Sequence, residues 1–380
     1  MGKIRVGITG QHGFVGSHLS NFLGLKDVEL VSFQKHLFDE GNSDQLQKFV
    51  ENCDAVVHLA ALNRHEDSQV LYDTNVGLIN QLIAACEAAE VKPHILFSSS
   101  TQEENDSLYG RSKRAGRLAL ESWAESTQAV VTGLVIPNVF GPFGRPFYNS
   151  VVATFCYQLT HGMEPRINTD SEVSLIYVSD LVEEIYKLIV DPQYVMGRVK
   201  GVLRYNIRAP YKVRVSRILE LLESYKSGYL DNGAFPDLRD PFEKALFNTY
   251  RCYVPESYYP HPFKLNIDNR GQFVEIARTD TSGQTSYSTT VPGITRGNHF
   301  HTRKAERFAV IKGKARIQLR KIGTEDVINY YLDGESPSYV DMPVWYTHNI
   351  TNIGQEELIT IFWINEPFDP SSPDTYFVEV

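Results

Sequence analysis

Two hydrophobic patterns follow one another along this chain of 380 residues, and they constrain the fold more than any other feature. Up to about residue 250, short runs rich in β-branched residues alternate with helix-length amphipathic segments such as 78–90 and 113–123. This alternation predicts a doubly wound parallel sheet wrapped by helices. The predicted strands are residues 4–9, 28–33, 55–60, 94–98 and 130–136.

From about Pro260 the pattern changes to short alternating strands separated by Gly, Asp and Asn turns. This pattern predicts an all-β barrel or sandwich, so the fold class is α/β plus all-β. The segment 253–263, rich in Pro and Tyr, is the predicted linker, and we expect two domains, 1–257 and 258–380. The predicted strands of the second domain are residues 273–277, 285–290, 307–311, 315–320 and 358–364.

The composition argues against several classes of protein. Hydrophobic residues make up 42% of the chain, and no apolar run approaches the roughly 18 residues of a membrane span, so we expect a soluble protein with no membrane partner. The start of the chain lacks a signal segment and the four cysteines form no Cys-x-x-Cys pair, which predicts a cytoplasmic location. The net charge of −9, without a basic stripe, argues against nucleic acid as a partner.

A glycine-rich turn, TGQHGFVG at residues 9–16, joins the first predicted strand to the first helix. Backbone N–H groups and the helix dipole at such a turn can hold a pyrophosphate, although glycines there often serve tight packing alone. The predicted strand 55–60 leads into small residues, as required where backbone lies beside a flat cofactor. Together these features predict a dinucleotide at this edge of the sheet.

Tyr109 and Lys113 lie four residues apart, so on a helix they face the same way and the ammonium can lower the proton affinity of the phenol. A tyrosine tuned in this way can donate a proton to a carbonyl oxygen while hydride arrives at the carbon. The preceding predicted strand leads into Ser98, Ser99 and Ser100, whose hydroxyls either hold the same oxygen or cap a turn. This arrangement predicts a reductase.

The end of the second predicted strand indicates which dinucleotide is used. An NAD enzyme usually places a carboxylate there for the ribose hydroxyls, whereas this chain has Gln34, Lys35 and His36. The missing carboxylate and the nearby cations favour NADPH, against the alternative that Lys35 is only a solvated surface residue.

A second set of candidate residues occurs in the β-rich part of the chain. His299 and His301 lie two apart on one predicted strand and therefore share a face, and Glu306 and His348 on neighbouring strands could complete a set of four ligands. Three histidines and one carboxylate suit Zn, Fe, Mn or Ni, with Zn as the first expectation.

The N-terminal motifs resemble the extended short-chain dehydrogenase/reductase family over roughly residues 1–250. The resemblance implies that Tyr109 is the acid/base, Lys113 its partner and ribose contact, and Ser100 the carbonyl-binding hydroxyl, with Ser99 and Thr101 as rivals. Pro137 and the residues after it resemble the nicotinamide and substrate loop of the family, and Asn138 and Arg145 are the expected substrate contacts. The expected cofactor contacts are Gly10, His12, Gly13, Phe14, Val15, Gly16, Lys35, Leu59, Ala60, Ala61, Tyr109, Lys113 and Pro137.

The spacing around the four candidate ligands resembles the two motifs of the cupin family, a jelly-roll barrel, except that Trp345 stands where a glycine is usual. Fused to a short-chain reductase, such a barrel resembles the capsular and O-antigen synthesis enzymes of the CapF/WbjC type. That resemblance implies a UDP-sugar substrate whose carbon 3 is epimerised in the cupin and whose carbon 4 is reduced with NADPH. It also implies a homo-oligomer, either a dimer or a tetramer.

Two alternatives stay open from the sequence. The first is a sugar-nucleotide reductase or dehydratase with a single activity, whose cupin serves only dimerisation or ligand sensing. The second is a redox-sensing scaffold that binds dinucleotide without turnover, which the presence of both Tyr109 and Lys113 disfavours. The epimerase base is not identified: His261 and Lys264 are candidates, although surface or linker positions account for both.

Overall fold

The computed structural model describes residues 2–39, 41–191, 201–263, 266–268, 271–273, 278–279, 284–366 and 370–380. The chain forms two compact units. The first unit comprises residues 1–140, 147–150 and 172–213, and the second comprises residues 141–146, 151–171 and 214–380.

The first unit is built on a six-stranded parallel sheet in the order β2-β1-β3-β4-β5-β8. Its strands are β1 (Ile4–Thr9), β2 (Val28–Val31), β3 (Ala55–His58), β4 (His94–Ser100), β5 (Val131–Ile136) and β8 (Val202–Asn206). Its helices are α1 (Phe14–Leu23), α2 (Ser43–Glu51), α3 (Ser68–Ala88), α4 (Leu108–Thr127) and α6 (Val178–Val190). A smaller sheet contains β6 (Asn138–Phe140), β7 (Glu172–Tyr177) and β9 (Tyr211–Arg214).

Both faces of the parallel sheet are buried. Val57 and Leu96 belong to the core cluster on one face, whereas the preceding residues Val56 and Ile95 belong to the cluster on the other. Burial on two faces explains why these strands read as continuous apolar runs rather than as alternating ones.

The second unit contains two antiparallel five-stranded sheets, in the orders β11-β20-β17-β22-β15 and β19-β18-β21-β16-β23. Their strands are β11 (His261–Pro262), β15 (Gln284–Thr290), β16 (Thr295–Phe300), β17 (Glu306–Lys312), β18 (Lys314–Lys321), β19 (Val327–Asp333), β20 (Ser338–Met342), β21 (Tyr346–Asn352), β22 (Leu358–Ile364) and β23 (Tyr376–Phe377). Two short pairs are formed by β10 (Ala234–Phe235) with β14 (Arg278–Thr279) and by β12 (Asn266–Asp268) with β13 (Gly271–Phe273). Its helices are α5 (Val151–Thr160), α7 (Val215–Tyr225) and α8 (Pro241–Arg251).

The predicted fold class is confirmed: a Rossmann-like parallel sheet is followed by antiparallel β-structure of the cupin type. The strands 4–9 and 358–364 have the predicted bounds, whereas residues 274–277 of another predicted strand lie outside the described residues. No helix within the described ranges is long and apolar enough to cross a bilayer.

The predicted linker 253–263 is an integral part of the second unit. Its last residues form β11, which pairs with β20, and the hydroxyl of Tyr258 donates to the carbonyl of Leu230 at 2.9 Å. The last division between the compact units along the chain falls between residues 213 and 214, which differs from the sequence boundary at 257/258. The boundary at 257/258 stays a prediction about sequence domains.

A buried ion pair explains why residues 214–262 fold with the barrel. On β17, Nε of Arg307 lies 2.8 Å from Oδ1 of Asp341 on β20, and both side chains are almost completely buried. Arg307 also donates to the carbonyl of Gly233 at 3.0 Å, and the hydroxyl of Tyr229 donates to Asp341. Since a buried charge without partners is costly, these contacts hold the helical segment and the barrel together.

Candidate active sites

The glycine-rich turn is packed against the end of β3. Gly10 has φ +76°, and a Cβ there would lie 2.8 Å from the backbone nitrogen of Ala60, while a Cβ on Gly16 would lie 2.1 Å from the carbonyl oxygen of Gly10. Tight packing therefore accounts for both glycines. Helix α1 begins after Gly13 with no side-chain cap and no acidic residue in its first turn, so its N-terminus fits a pyrophosphate.

A buried polar pair crosses from β1 to β3 directly before this turn. Thr9 and His58 are register partners, with Oγ1 of Thr9 2.9 Å from Nδ1 of His58, and the backbone N–H of Ala60 donates to the same hydroxyl at 3.3 Å. Burial, together with the nearby charge of Lys113, lowers the pKa of His58 to about 3, so its ring is neutral. Sequence reasoning assigned no role to this pair, although polar residues at the ends of two adjacent predicted strands were a usable signal.

The candidate ribose contacts lie at the end of β2. The side-chain amide of Gln11 donates to the carbonyl of Phe33 at 2.7 Å, which ties the glycine-rich turn to this strand end. His12 on the turn and Lys35 at the start of a short 3₁₀ helix are both exposed. Two cationic or ionisable side chains are thus available at the place where the second ribose of a dinucleotide is expected.

Tyr109 and Lys113 lie in the first two turns of α4, which begins where the hydroxyl of Ser107 accepts the N–H of Gly110 at 3.1 Å. Nζ of Lys113 donates to the carbonyl of Ser98 at 3.0 Å and lies 5.8 Å from the centre of the Tyr109 ring. The two side chains therefore share a face of α4 beside the end of β4, as the spacing predicted.

Burial controls the protonation of this pair. It lowers the pKa of Lys113 to about 8, against a partial opposing effect of Glu103, and it raises the pKa of Tyr109 to about 12, with a contribution from Tyr148. The sequence led us to expect a lowered phenol pKa, whereas burial raises it. The raised pKa keeps Tyr109 in the protonated form that an acid must have.

The three serines at the end of β4 differ in their contacts. The carbonyl of Ser98 accepts the Lys113 ammonium, and the hydroxyl of Ser99 donates to the buried carboxylate of Glu103. The hydroxyl of Ser100 accepts the N–H of Gln102 at 3.2 Å, and no acceptor for its own proton occurs among the described residues. Ser100 thus caps a turn and can still donate to a carbonyl oxygen, whereas the proton of Ser99 is already engaged.

Sequence reasoning missed two further groups near these residues, Glu103, which accepts from Ser99, and Asn75, which bonds Ser112 on α4. Glu103 accepts Nε of Arg117 at 3.0 Å and Nη2 at 2.9 Å in a buried ion pair behind the serines. The Asn75 side chain bonds both backbone groups of Leu62, at 2.7 and 3.0 Å, and donates to the hydroxyl of Ser112 at 3.1 Å. An asparagine in a helix interior is a poor helix former, and this was the available signal.

The predicted substrate loop is divided between the two units. Pro137 is buried between β5 and β6, and the exposed Asn138 donates to the carbonyl of Ser174 at 3.4 Å. Arg145 belongs to the segment 141–146 of the second unit. The substrate-binding roles of Asn138 and Arg145 stay predictions.

The four predicted metal ligands come together in the barrel. Their ligand atoms all lie within 4.8 Å of one another, and Oε2 of Glu306 lies 3.2 Å from Nε2 of His301 and 3.1 Å from Nε2 of His348. These three buried atoms have no hydrogen-bond partner of regular geometry among the residues that the structure describes. Three imidazoles and one carboxylate whose ligand atoms converge in this way fit a divalent metal such as Zn.

The protonation of two members of this cluster, His299 and Glu306, suits a cation. Burial, with the neighbouring imidazoles, lowers the pKa of His299 to about 4, so that its ring is neutral and offers a lone pair. Burial opposes ionisation of Glu306, but His301 and His348 outweigh it and hold the carboxyl pKa well below its usual range. An ionised carboxylate beside a neutral imidazole is the form that binds metal.

Asp374, near the C-terminus, anchors the turn that follows His301. Its carboxylate accepts the backbone N–H groups of Thr302, Arg303 and Lys304 at 3.0 to 3.2 Å, and its own carbonyl lies in hydrogen-bond contact with Nδ1 of His301. A ligand histidine held through Nδ1 in this way presents Nε2 to the centre of the cluster.

Trp345 preserves the turn at which the cupin motif has glycine. Its φ of +61° is a left-handed conformation, its backbone N–H donates to the carbonyl of His301 at 2.8 Å, and its buried ring stacks on Phe300 at 5.5 Å. The turn thus keeps a glycine-like backbone conformation, and packing of the indole offsets its steric cost.

Of the two candidate bases for the epimerisation, only His261 lies within the described residues. His261 in β11 stacks on Tyr258, with the ring centres 4.7 Å apart, and is part of the packed segment. Burial there, together with Arg307, lowers the pKa of His261. Lys264 lies outside the described residues.

Comparison with known proteins agrees with this two-part architecture. Residues 6–199 match the NAD dependent epimerase/dehydratase family, and residues 266–376 match the polysaccharide biosynthesis C-terminal domain. The chain is 33% identical over 382 residues to UDP-2-acetamido-2,6-beta-L-arabino-hexul-4-ose reductase from Pseudomonas aeruginosa, with 99% of each chain covered.

Among solved structures, the capsular polysaccharide assembling protein CapF from Staphylococcus aureus is 36% identical, with a TM-score of 0.61 over 99% of this chain and 100% of that one. RMD from Pseudomonas aeruginosa, solved with NADPH, is 21% identical over 59% of this chain and 83% of that one, with a TM-score of 0.52, and shares the fold alone.

Proposed function

Because the chain belongs to the NAD dependent epimerase/dehydratase family and is a capsular polysaccharide enzyme of the CapF type, we propose that it carries out two steps on one nucleotide sugar. The coarser activity, reduction of a sugar nucleotide with a nicotinamide cofactor, follows from the family. The finer proposal is that the barrel epimerises carbon 3 of a UDP-4-keto-6-deoxy-N-acetylhexosamine and the first unit then reduces carbon 4. The product would be UDP-2-acetamido-2,6-dideoxy-L-talose, on the route to UDP-N-acetyl-L-fucosamine.

In the reduction, bound NADPH supplies the hydride. Tyr109 donates its phenolic proton to the oxygen on carbon 4, so that the ketone gains one hydride and one proton and becomes an alcohol. Lys113, held by the carbonyl of Ser98, stabilises the charge that develops on the phenol oxygen, and Ser100 donates a hydrogen bond to the reacting carbonyl. The exposed Lys35 and His12 favour the phosphorylated dinucleotide.

In the epimerisation, a 4-keto group makes the proton on carbon 3 acidic, because the charge left by its removal spreads to the ketone oxygen. The residues that would hold a metal are His299, His301, Glu306 and His348. A divalent metal, for which Zn is our first choice, would supply Lewis-acid stabilisation of that oxygen. One ketone thus serves both steps, which gives a chemical reason for two sites in one chain.

One observation supports the proposal above all others: Nζ of the buried Lys113 lies 5.8 Å from the centre of the Tyr109 ring, beside the three serines. The test uses Tyr109→Phe and His348→Ala, assayed on a UDP-4-keto-6-deoxy sugar in heavy water with and without NADPH. We expect Tyr109→Phe to abolish NADPH oxidation while deuterium still enters carbon 3. His348→Ala should abolish the exchange and retain NADPH oxidation.

Equal loss of both activities in each variant would argue against separate sites. Specific reduction by a chain that lacks residues 258–380 would instead favour a barrel without a catalytic role. Metal analysis of protein prepared without chelator, and gel filtration with light scattering for the expected homodimer or tetramer, complete the test. A strong preference for NADH would refute the choice of NADPH.

A further inference from the structure

A β-bulge in the barrel places a cation on the same face as the metal-binding cluster. Arg296 and His299 are three residues apart, and in a regular strand an odd separation puts side chains on opposite faces. In β16, however, the register against β21 shifts between Gly297 and His299, so that Arg296 pairs with Ile350 and His299 pairs with His348. Directly paired residues share a face, so Arg296, Ile350, His348 and His299 all lie on one side of the sheet.

The bulge is fixed by contacts on both edges of the strand. Gly297 has φ +103°, and a Cβ there would lie 2.8 Å from the carbonyl oxygen of His348. The extra residue, Asn298, has φ +59°, its side-chain oxygen accepts Nδ2 of Asn349 at 2.9 Å, and its carbonyl accepts the N–H of Val378 at 2.9 Å. The backbone of the bulge therefore determines the face of the sheet on which Arg296 lies.

Arg296 is exposed, and it forms no ion pair with any residue in the described ranges, whereas Ile350 beside it belongs to the barrel core. Two residues along a strand span about 6.8 Å, so the backbone positions of the pair Arg296 and Ile350 lie about one such step from those of His299 and His348. The Phe308 ring lies 5.6 Å from the His348 ring and 5.8 Å from the Phe362 ring, and both phenylalanines are only partly buried. An apolar wall next to the ligands and a cation farther out suit an elongated molecule with an apolar end and an anionic end.

We infer that Arg296 binds the diphosphate of the nucleotide sugar in the barrel, while the 6-deoxy sugar packs against Phe308 and Phe362. This assignment rests on the proposed epimerase function and names the substrate-recognition residue of that site. A guanidinium suits the task, because its planar donor fork matches phosphate oxygens. The deoxy carbon of the sugar is a methyl group, which suits an aromatic wall.

The test is Arg296→Gln, with Arg316→Gln as the matched control. Arg316 pairs with Thr351 and Tyr331, on the opposite face of the same sheet. Deuterium exchange at carbon 3 is measured over a range of UDP-4-keto-6-deoxy sugar concentrations, together with metal content. We expect Arg296→Gln to raise KM at least about tenfold while kcat stays within about twofold, because the lost bond is a charged one made equally in the ground and transition states. Metal content should not change, and Arg316→Gln should behave as wild type.

A methyl glycoside of the same 4-keto-6-deoxy sugar, which lacks the diphosphate, provides the second arm. Wild type and Arg296→Gln should exchange its carbon 3 proton with equal efficiency. An unchanged KM for the UDP-sugar in Arg296→Gln, or an equal defect with the glycoside, would overturn the assignment of Arg296. Absence of exchange in the wild-type protein would overturn the epimerase function itself, and the role of Arg296 with it.

Discussion

In the first unit, polar side chains of the candidate site are hydrogen-bonded to other protein groups, whereas in the second unit the ligand atoms of four side chains converge on one another. The Lys113 ammonium donates to the backbone carbonyl of Ser98, the Ser99 hydroxyl donates to Glu103, and the Glu103 carboxylate accepts from Arg117. By contrast, Oε2 of Glu306 lies within 3.2 Å of Nε2 of both His301 and His348, and all three atoms lack regular hydrogen bonds to the described residues.

The two sites therefore differ in their dependence on a bound group. The reductase residues are held in place by the protein alone, so their geometry should survive without a dinucleotide. The cluster in the barrel places buried polar atoms against one another at a cost that a cation would remove, so its stability should depend on metal.

The largest expected effect is on the reductase residues, where Lys113→Met removes the ammonium and keeps much of the side-chain volume. We expect kcat/KM for NADPH oxidation to fall by about 10² to 10⁴, because the phenol loses the charge that stabilises its deprotonated form. Deuterium exchange at carbon 3 and the metal content should stay at wild-type values. A parallel loss of exchange would contradict the independence of the two sites.

Next in size is the effect of breaking the ion pair behind the serines. Glu103→Gln leaves Arg117 with Glu121 as its remaining close carboxylate, and we expect the free energy of unfolding to fall by about 3 kcal/mol. The control is Asp27→Asn in the exposed pair with Lys3, for which we expect less than about 1 kcal/mol. Urea unfolding of both variants provides the comparison. Equal changes in the free energy of unfolding would show that the buried ion pair of Glu103 stabilises the fold no more than an exposed one.

The sequence predicted those parts of the two sites that depend on local spacing. The glycine turn, the Tyr109 and Lys113 pair and the pair His299 and His301 follow from helix and strand periodicity, and the structure brings each set together as expected. Contacts between distant positions were not predictable in this way. Asp374 reaches the turn after His301 across 73 residues, and the bulge at Asn298 reverses the face on which periodicity alone would place Arg296.

The protonation of Tyr109 was misjudged for a related reason. Its spacing from Lys113 was visible in the sequence, but the depth of its burial was not, and burial decides the direction of its pKa. Similarly, Trp345 was a visible departure from the cupin motif, but only the packing on Phe300 shows how the turn tolerates it.

Two residues with positive φ, one in each unit, give the third prediction. Trp345→Gly relieves a left-handed conformation worth about 1 to 2 kcal/mol but removes a buried indole worth about 3 to 5 kcal/mol, so we expect a net loss of about 1 to 4 kcal/mol. Gln128→Gly, at the exposed end of α4 with φ +63°, loses no buried side chain and should gain about 1 kcal/mol. Thermal unfolding of the metal-loaded proteins measures both, and changes of the same sign would contradict the role of indole packing.

The smallest expected effect concerns Asp374, which supports the metal cluster without belonging to it. Asp374→Asn keeps the side-chain shape, but its amide nitrogen cannot accept the N–H groups of Arg303 and Lys304 that bond to Oδ2. The turn then holds His301 less firmly, and we expect metal affinity to fall about 10-fold to 100-fold in a chelator competition. Asp333→Asn, which changes an exposed carboxylate that accepts the N–H of Glu335 at 3.0 Å, should leave the affinity unchanged.

Nitrogen NMR of the His301 ring provides an independent readout, because a weaker Nδ1 contact should allow the second tautomer to appear in the metal-free protein. Wild-type affinity together with a single tautomer in Asp374→Asn would show that the barrel strands alone position the ligand.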